Sequence, residues 1–440
     1  MKEPTVHTQT EPATSEAADC GCGEFRTSRR RVLQGAAALT AGVAFNSVAG
    51  GVFREAAFAA SGVASNMLVV LSLRGGVDGL SLVVPHGDQA YYDARPTLAI
   101  PSDRLIGADS TFGLHPALAP LLPMWLDGSF GAVQAVGLPV PNRSHFAAME
   151  EMEDADPGSA LRRGWLNRMV GLNTVGNPLE AVMLGKPTVP TSLYGASPVV
   201  AAGSLKQLKL GGTGPEVQQR TEKSLHRVWD KATGPMGRAA RSALQTVGTV
   251  QTLATTKEAP RNGAVYPGGA FGVALAETAR LLRADVGAEV VTVDYGSWDM
   301  HSNLGTREGG GSMATMTAVL AQGIAAFFKD LGAALGSRVT MVTISEFGRR
   351  VDENGNRGLD HGYGNAMLLF GGGVKGGDVY GKWPGLGPAQ RIDGDLAVTR
   401  DYRSVLTEVL RSRFPTTDAS KVFPGFRSET ALGAMVPPPS

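Results

Sequence analysis

Residues Met67–Leu73 read MLVVLSL and run directly into Arg74-Gly75-Gly76. Seven consecutive uncharged and mostly apolar residues predict a strand buried on both faces, and the two glycines predict a tight loop at its end. Runs of the same kind follow at residues 130–136 (FGAVQAV), 289–294 (EVVTVD), 338–345 (RVTMVTIS) and 366–370 (AMLLF).

Stretches with helical spacing separate these predicted strands, at residues 144–153, 269–282 and 313–331. Buried strands that alternate with helices are typical of α/β proteins, in which a mostly parallel sheet is covered by helices on both faces. We therefore predict one continuous α/β domain over residues 60–440. Residues from about 187 to 262 combine a loop-like segment with a polar helical pattern and no strong strand, and we interpret them as an inserted helical cap.

The composition is that of an ordinary globular protein, with 440 residues, 43% of them hydrophobic and 18% charged, and a net charge of +1. This near-zero charge gives no electrostatic reason to expect nucleic acid or an anionic membrane surface as a partner. No permanent membrane span is predicted after residue 60. The only cysteines, Cys20 and Cys22, precede the export segment described next, so the mature chain is predicted to contain no disulfide.

Residues 28–34 (SRRRVLQ) match a twin-arginine signature, in which Ser-Arg-Arg is followed by an apolar pair. An uncharged and weakly hydrophobic run covers residues 32–53, and Ala57-Phe58-Ala59 supplies the small-x-small pattern that a signal peptidase requires. We predict that residues 1–59 are a leader read by the twin-arginine translocase and then removed. The mature protein would be periplasmic or secreted. The alternative, an uncleaved N-terminal anchor, fits the Ala- and Gly-rich composition poorly.

The loops after the strands hold the candidate functional residues, because ligands of such sheets gather at the carboxyl ends of the strands. Asp78 lies in the glycine-rich loop after the first strand, where it is a candidate site residue or simply a turn former. Ser144 stands where a helix cap would, and Ser is a preferred cap. A helix N-terminus flanked by Arg143 and His145 also favours anions, so Ser144 is well placed to be a nucleophile or to hold a phosphate-like group.

Asp299 and His301 lie two residues apart after a predicted strand. A carboxylate beside an imidazole is a mixed ligand set that suits zinc and similar metals. His145, His301 and His361 are three of only seven histidines, and all three fall in these loops.

Two later loops add Glu346 with Arg349, and Asp360 with His361. The simpler interpretations are a surface ion pair for Glu346 and Arg349 and a hydrogen-bonded turn residue for His361. The sequence contains neither a dinucleotide-binding nor a Walker glycine motif in the context that such motifs need, and it lacks a Gly-x-Ser-x-Gly elbow.

Taken in order, the segments LRGGVDGL, PNRSHF, WDMH, SEFGRR, LDHGYGN and VTRDYRSVL resemble a family of bacterial twin-arginine-exported proteins catalogued as domain of unknown function 1501. The resemblance covers nearly the whole mature chain. That family is similar to the alkaline phosphatase and sulfatase superfamily, which implies a three-layer α/β/α sandwich with a divalent metal site.

The resemblance also implies roles for the loop residues. The implied metal ligands are Asp78, Asp299, His301, Glu346, Asp360 and His361, with Ser144 as nucleophile and Arg143 or Arg349 as a clamp for the oxyanion. Phe347 stands where the superfamily has a metal-binding histidine, so either Asp360 replaces that ligand or one ion binds instead of two. Zinc is the expected metal, with manganese and calcium as alternatives.

The implied function is an exported, metal-dependent hydrolase of phosphate or sulfate esters, acting on a small-molecule or polymeric substrate. The alternative is a non-catalytic binding or assembly protein of the cell envelope that retains the same fold. Phe347 favours the alternative. The hydrolase is favoured by six polar residues kept in the loops, namely Asp78, Ser144, Asp299, His301, Glu346 and His361.

Overall fold

The computed structural model describes residues 64–159, 161–172, 177–208, 214–256, 258–307 and 310–437. The predicted leader, residues 1–59, lies outside the described residues, and so do the twin-arginine signature and both cysteines. The described residues all belong to the predicted mature chain.

A sheet of nine strands forms the middle layer of the domain. In spatial order its strands are β10 (Val379–Tyr380), β4 (Phe130–Gly137), β9 (Asn365–Gly371), β8 (Val339–Ile344), β1 (Met67–Leu73), β7 (Val290–Tyr295), β5 (Ala181–Leu184) and β6 (Val200–Ala202), and β11 (Arg400–Asp401) also pairs with β4. A separate antiparallel pair consists of β2 (Val83–Val84) and β3 (Gly113–Leu114).

Every pair in the large sheet is parallel except the two that β9 makes with β4 and β8. Because β9 is reversed, the chain that enters β9 lies at the same edge as the chain that leaves β1, β4, β7 and β8. One edge of the sheet therefore collects the five loops in which the sequence analysis placed candidate residues.

Helices cover both faces of the sheet. They are α1 (Gly79–Leu82), α2 (Gln89–Ala94), α3 (Leu122–Leu126), α4 (His145–Asp154), α5 (Trp165–Val170), α6 (Pro215–Trp229), α7 (Gly234–Thr255), α8 (Ala270–Arg283), α9 (Ser312–Gly336), α10 (Tyr402–Arg413) and α11 (Ala419–Val422).

The alternation of side chains along β1 divides the core in two. Val69 and Leu71 pack with α8 and α9 on one face, whereas Leu68 and Val70 pack with α4, α5 and α10 on the other. All seven residues of β1 are buried. The predicted α/β class and its three-layer arrangement are confirmed.

The predicted strands and helices all occur, and most of their ends agree within one or two residues. The region interpreted as a cap also contacts the core of the domain. It contributes the edge strand β6, which has only three residues and was therefore too short to be predicted from the sequence. It also contributes helix α7, whose Val250 is completely buried in the core. Helix α6 packs mainly on α7 through a small cluster around Trp229 and Leu244.

Helix α9 is the one described helix that is long and apolar enough to cross a membrane by length and composition. Leu320, Ile324 and Phe327 of this helix are instead completely buried in the domain core. Asp330 in its last third is also buried and pairs with Arg283 of α8. A helix that is apolar on several faces is typical of the interior of a large domain, and α9 is such a core helix here.

Candidate metal centre

Five loops at the carboxyl edge of the sheet bring the candidate side chains together. Gly75 follows β1, His145 opens α4 after β4, Asp299 and His301 follow β7, Glu346 follows β8, and His361 precedes β9. Each residue is positioned by a strand end, so the rigid sheet sets the spacing of the site.

The centre of the site consists of three imidazoles and one carboxylate. The Nε2 atom of His361 lies 2.9 Å from Nε2 of His145 and 3.0 Å from Nε2 of His301. Oδ1 of Asp299 lies 3.0 Å from Nε2 of His301 and 3.3 Å from Nε2 of His361, and its Oδ2 lies 3.4 Å from Nε2 of His145. We refer to these four residues as the histidine cluster.

In each imidazole the other ring nitrogen, Nδ1, faces an oxygen that only accepts hydrogen bonds. The pairs are His145 with Glu346 Oε1 (2.9 Å), His301 with Asp360 Oδ1 (2.8 Å), and His361 with the main-chain carbonyl of Arg143 (2.9 Å). This network assigns the ring proton to Nδ1 in all three residues. In each ring Nε2 therefore carries the lone pair, which can bind a proton or a metal ion.

Nε2 of His361 faces the Nε2 atoms of His145 and His301 at about 3 Å, and lone pairs at such distances repel unless a proton or a cation lies between them. Zinc–nitrogen distances of about 2.0–2.1 Å place tetrahedral ligands about 3.3 Å apart, close to the 2.9 and 3.0 Å observed between the Nε2 atoms. Hydrogen-bonded Nδ1 atoms are also the usual outer contacts of metal-binding histidines. Within the histidine cluster, His145, Asp299 and His361 form a possible His/Asp metal site, with donor atoms that all lie within 4.8 Å of one another, and this donor set fits a divalent metal such as zinc. His301 lies beside this set, with its Nε2 atom 3.0 Å from both Asp299 Oδ1 and His361 Nε2.

The electrostatic surroundings put the cluster in a state that can bind a cation. Burial raises the pKa of Asp299, but the hydrogen bond and charge of Arg349, together with the imidazoles, outweigh it and leave this pKa lowered. Hydrogen bonds from His301 and Asn354 lower the pKa of Asp360. Burial lowers the pKa of His361. At neutral pH both carboxylates are therefore ionised and His361 is neutral.

Arg349 holds three of the site loops in place. Its side chain is 1% exposed, and its donors reach main-chain carbonyls and one carboxylate. The acceptors are Gly76 O (2.6 Å) for Nε, Leu359 O (3.0 Å) for Nη1, and Asp299 Oδ1 (2.7 Å), Trp298 O (3.3 Å) and Gly75 O for Nη2. With these contacts made, the guanidinium orients Asp299 and is engaged inside the protein.

Phe347 forms an apolar wall beneath the cluster. Its ring is buried, and its centroid lies 4.8 Å from those of both His145 and His361. Gly76 approaches the same ring so closely that an added Cβ would lie 2.6 Å from it, and its φ of +63° also favours glycine. The residue that stands in place of an expected histidine therefore packs against two imidazoles.

Asp78 lies outside the histidine cluster. It is buried at the start of α1, where Oδ1 and Oδ2 each accept a hydrogen bond from the guanidinium of Arg95, Oδ1 at 3.0 Å, and Oδ2 also accepts from Ser81. This ion pair with the completely buried Arg95 accounts for the burial of the Asp78 carboxylate. The structure thus gives Asp78 a role in anchoring α1 and α2 and not the ligand position that the resemblance implied.

Glu346 and Asp360 do reach the site, as acceptors for Nδ1 of His145 and His301 and not as members of the cluster itself. Glu346 is buried and also accepts a hydrogen bond from Gly75 N at 2.8 Å. The sequence analysis did not name His145 as a ligand. The signal available in the sequence was that three of the seven histidines, His145 among them, fall in the candidate loops. The family pattern instead pointed to Ser144, the residue before His145.

Ser144 is the exposed N-cap of α4, and its Oγ accepts a hydrogen bond from Ala147 N at 3.5 Å. Arg143 directs its guanidinium to the buried carboxylate of Asp395, with Nε at 2.9 Å from Oδ2. The capping interpretation of Ser144 therefore describes its observed contact, and Arg143 is already engaged by a partner inside the protein.

These features define an α/β sandwich with a candidate His/Asp metal centre at the carboxyl edge of its sheet. A family model described as "Protein of unknown function (DUF1501)" matches residues 119–404, more than half of the chain, and the chain belongs to this family. No curated protein matches the chain.

Three solved structures are similar to the chain. The C-terminal periplasmic domain of EcEptC from Escherichia coli, in complex with Zn, is 10% identical over 86% of this chain and 93% of that chain, with a TM-score of 0.32. The alkaline phosphatase from the Antarctic bacterium TAB5 is 10% identical over 72% and 94%, with a TM-score of 0.24. BT1596, a 2-O GAG sulfatase, is 9% identical over 70% and 65%, with a TM-score of 0.24. At these scores we draw no conclusion about function from them.

Replacing Arg349 with Lys tests whether the guanidinium holds the loops together. An ammonium group cannot serve the separate acceptors that Arg349 reaches, so buried carbonyls and Asp299 lose their donors. We expect the free energy of unfolding to fall by at least about 2 kcal/mol, because each buried carbonyl left without a donor costs about 1–3 kcal/mol. Urea denaturation followed by circular dichroism measures this, with Arg350→Lys as the neighbouring control, expected to change it by less than about 1 kcal/mol. Equal losses in the two variants would contradict the assignment.

Proposed function

We propose that this protein is an exported hydrolase of phosphate or sulfate esters that depends on one divalent metal held by the histidine cluster. The observation that supports the metal most directly is that His145, Asp299 and His361 each place a donor atom within 4.8 Å of the other two, with both rings held by a hydrogen bond at Nδ1. His145, Asp299 and His361 form a single set of donors, and His301 lies next to this set as a further candidate donor. One ion is therefore proposed in place of two.

The accessibility of the cluster supports a role in binding a substrate. The side chains of Asp299 and His301 are both 45% exposed, whereas those of His145 and His361 are 27% and 24% exposed. A metal that only stabilises a fold is usually enclosed by its ligands, while a catalytic metal remains open to an incoming group. The open side of this cluster is where an ester would approach.

Zinc is the proposed metal because imidazole donors favour it, whereas manganese and calcium, the alternatives, prefer oxygen ligands. A bound divalent metal would act as a Lewis acid that polarises an ester oxygen and neutralises developing charge. The chain's own residues prepare the site: Glu346 orients His145, Arg349 orients Asp299, and Phe347 excludes water from one side of two imidazoles.

The ester class is proposed from the resemblance of the loop motifs to the alkaline phosphatase and sulfatase superfamily. Ser144 directly precedes the cluster residue His145 and is exposed at the start of α4. We propose its hydroxyl as the nucleophile, in addition to its capping contact. The substrate would be a small-molecule or polymeric ester.

The proposed location is the periplasm or the exterior of a bacterial cell, reached through the twin-arginine translocase. The support is the SRRRVLQ segment and the Ala57-Phe58-Ala59 pattern that follows the uncharged run. The mature protein is proposed to have no permanent membrane span and no nucleic acid partner.

A second candidate function is that of a non-catalytic envelope protein in which a metal stabilises the loops. It is favoured by the two arginines implied as oxyanion clamps, because Arg143 is bonded to Asp395 and Arg349 to Asp299. Phe347, packed where a further ligand was expected, favours it as well. The experiments below separate the two candidates.

Removing any one imidazole of the cluster should remove the metal. Elemental mass spectrometry of mature protein purified without chelator should find about one equivalent of metal in the wild type. His145→Ala, His301→Ala and His361→Ala should each lose at least about 90% of it, since one donor fewer weakens binding steeply. His226→Ala, which removes an exposed histidine of α6, is the matched control and should keep the metal. Metal-free wild type after soaking, or full occupancy in His145→Ala, would overturn the site.

Ser144→Ala separates a nucleophile from a helix cap. We expect turnover on a panel of phosphate and sulfate esters to disappear, while the free energy of unfolding falls by only about 1 kcal/mol, as for a lost cap. Asp418→Ala removes another N-cap, that of α11, and should cost similar stability without changing turnover. Turnover of Ser144→Ala at the wild-type level would exclude the nucleophile, and a wild type that binds metal but cleaves no ester would favour the envelope protein.

Changing Arg29 and Arg30 together to Lys tests the export route. The twin-arginine translocase reads the arginine pair, so the variant should stay in the cytoplasm with its leader attached. Cell fractionation and immunoblotting measure this, with Arg31→Lys as the adjacent control, expected to be exported. Normal processing of the double variant would contradict the proposed route.

A further inference from the structure

Asp395 is a completely buried carboxylate in the turn that links residues 392 and 395. Its Oδ2 accepts hydrogen bonds from Nε (2.9 Å) and Nη2 of Arg143, and its Oδ1 has no hydrogen-bond partner among the described residues. Burying a carboxylate with an unsatisfied oxygen costs free energy. Because of this cost, we looked for a role of the Arg143–Asp395 ion pair other than stabilising the fold.

The turn that carries Asp395 is itself firmly attached to the protein. Ile392 and Asp395 exchange main-chain hydrogen bonds, and Val351 donates a hydrogen bond from its main-chain nitrogen to Gly394. Next in the chain, Leu396 O accepts a hydrogen bond from Gly364 N, just after His361. Asp395 is therefore a fixed anchor for the side chain of Arg143.

The main-chain carbonyl of Arg143 accepts the hydrogen bond from Nδ1 of His361, at 2.9 Å. His145 and His301 are oriented by carboxylates, Glu346 and Asp360, whereas His361 depends on a peptide oxygen. A carbonyl points correctly only if its own segment of chain is held. Asn142 holds this segment on one side by accepting a hydrogen bond from Ser144 N at 3.0 Å.

We propose that Arg143 and Asp395 form a positioning pair for the histidine cluster. Their ion pair fixes the segment 142–144, so that the carbonyl of Arg143 keeps the proton of His361 on Nδ1 and its Nε2 lone pair in the centre. The pair acts through His361 and touches neither substrate nor metal. Its effect on metal binding rests on the proposed function, whereas its effect on the proton position of His361 does not.

The exposure of the two partners fits this role. The side chain of Arg143 is 35% exposed and that of Asp395 is 0% exposed. The guanidinium of Arg143 donates both of these hydrogen bonds to the buried carboxylate of Asp395. An arginine so close to an open site is thus bound to the protein by its side chain and serves the site through its main chain.

The test uses Arg143→Met, Asp395→Asn and the double variant Arg143→Met/Asp395→Leu of the mature protein. The single changes leave a buried charge or its partner uncompensated, and the double variant replaces both groups with apolar side chains, which often preserves stability. Arg283→Met/Asp330→Leu is the matched control, because it removes a buried ion pair between α8 and α9, with side chains 4% and 1% exposed.

Two readouts are measured on folded protein. Cobalt(II) affinity by competition with a chelator should fall by about 10- to 100-fold in the three test variants, the usual loss for an outer contact of a metal ligand. In metal-free protein, ¹⁵N spectra of the histidine side chains should change His361 from the Nδ1-protonated form to a mixture of tautomers. The control should match the wild type in both readouts.

A folded double variant with the affinity and the His361 spectrum of the wild type would overturn the proposal. If the wild type binds no cobalt, the proposed metal-dependent function fails, and the ¹⁵N spectra still decide whether the pair positions His361. If affinity falls equally in the control, the effect is one of general stability and the positioning role is rejected.

Discussion

The buried guanidinium of Arg349 is the interaction on which the site depends. It reaches the loops after β1 and β7 and the segment before β9, through the carbonyls of Gly76, Trp298 and Leu359. A rigid planar group with five donors suits this task, because it can hold several acceptors at once in a fixed geometry. Its bond to Asp299 then transmits that fixed geometry to the histidine cluster.

Besides Arg349, hydrogen bonds at Nδ1 orient each imidazole of the histidine cluster. Glu346 and Asp360 hold His145 and His301, and the carbonyl of Arg143 holds His361. Holding the rings in this way places Nε2 of His361 about 3 Å from Nε2 of both His145 and His301, an arrangement that is unfavourable without a proton or a cation between them and favourable with one. The free energy of folding and the affinity for a cation are therefore coupled in the proposed function.

The sequence predicted the elements that form the centre of the sheet because they leave a strong local pattern. The run 67–73 matches β1 at both ends, and the runs near residues 130, 290, 339 and 366 all form strands. Strands β5, β6, β10 and β11 were not predicted. They contain four residues or fewer, so alternation and apolar length carry little information in them, and pairing with neighbours decides their structure.

The sequence by itself determined which loops would carry the site, because polar residues follow buried strands and parallel strands end at a common edge. It also determined the residue types available there, including the scarce histidines. Only the tertiary structure decided which side chains meet. Asp78 pairs with Arg95, 17 positions along the chain, and Arg143 pairs with Asp395, 252 positions along. His145 and His361 come together although 216 positions separate them, because β9 is reversed between β4 and β8. Such partners are set by sheet order and by the direction of each strand, which no local pattern of residues records.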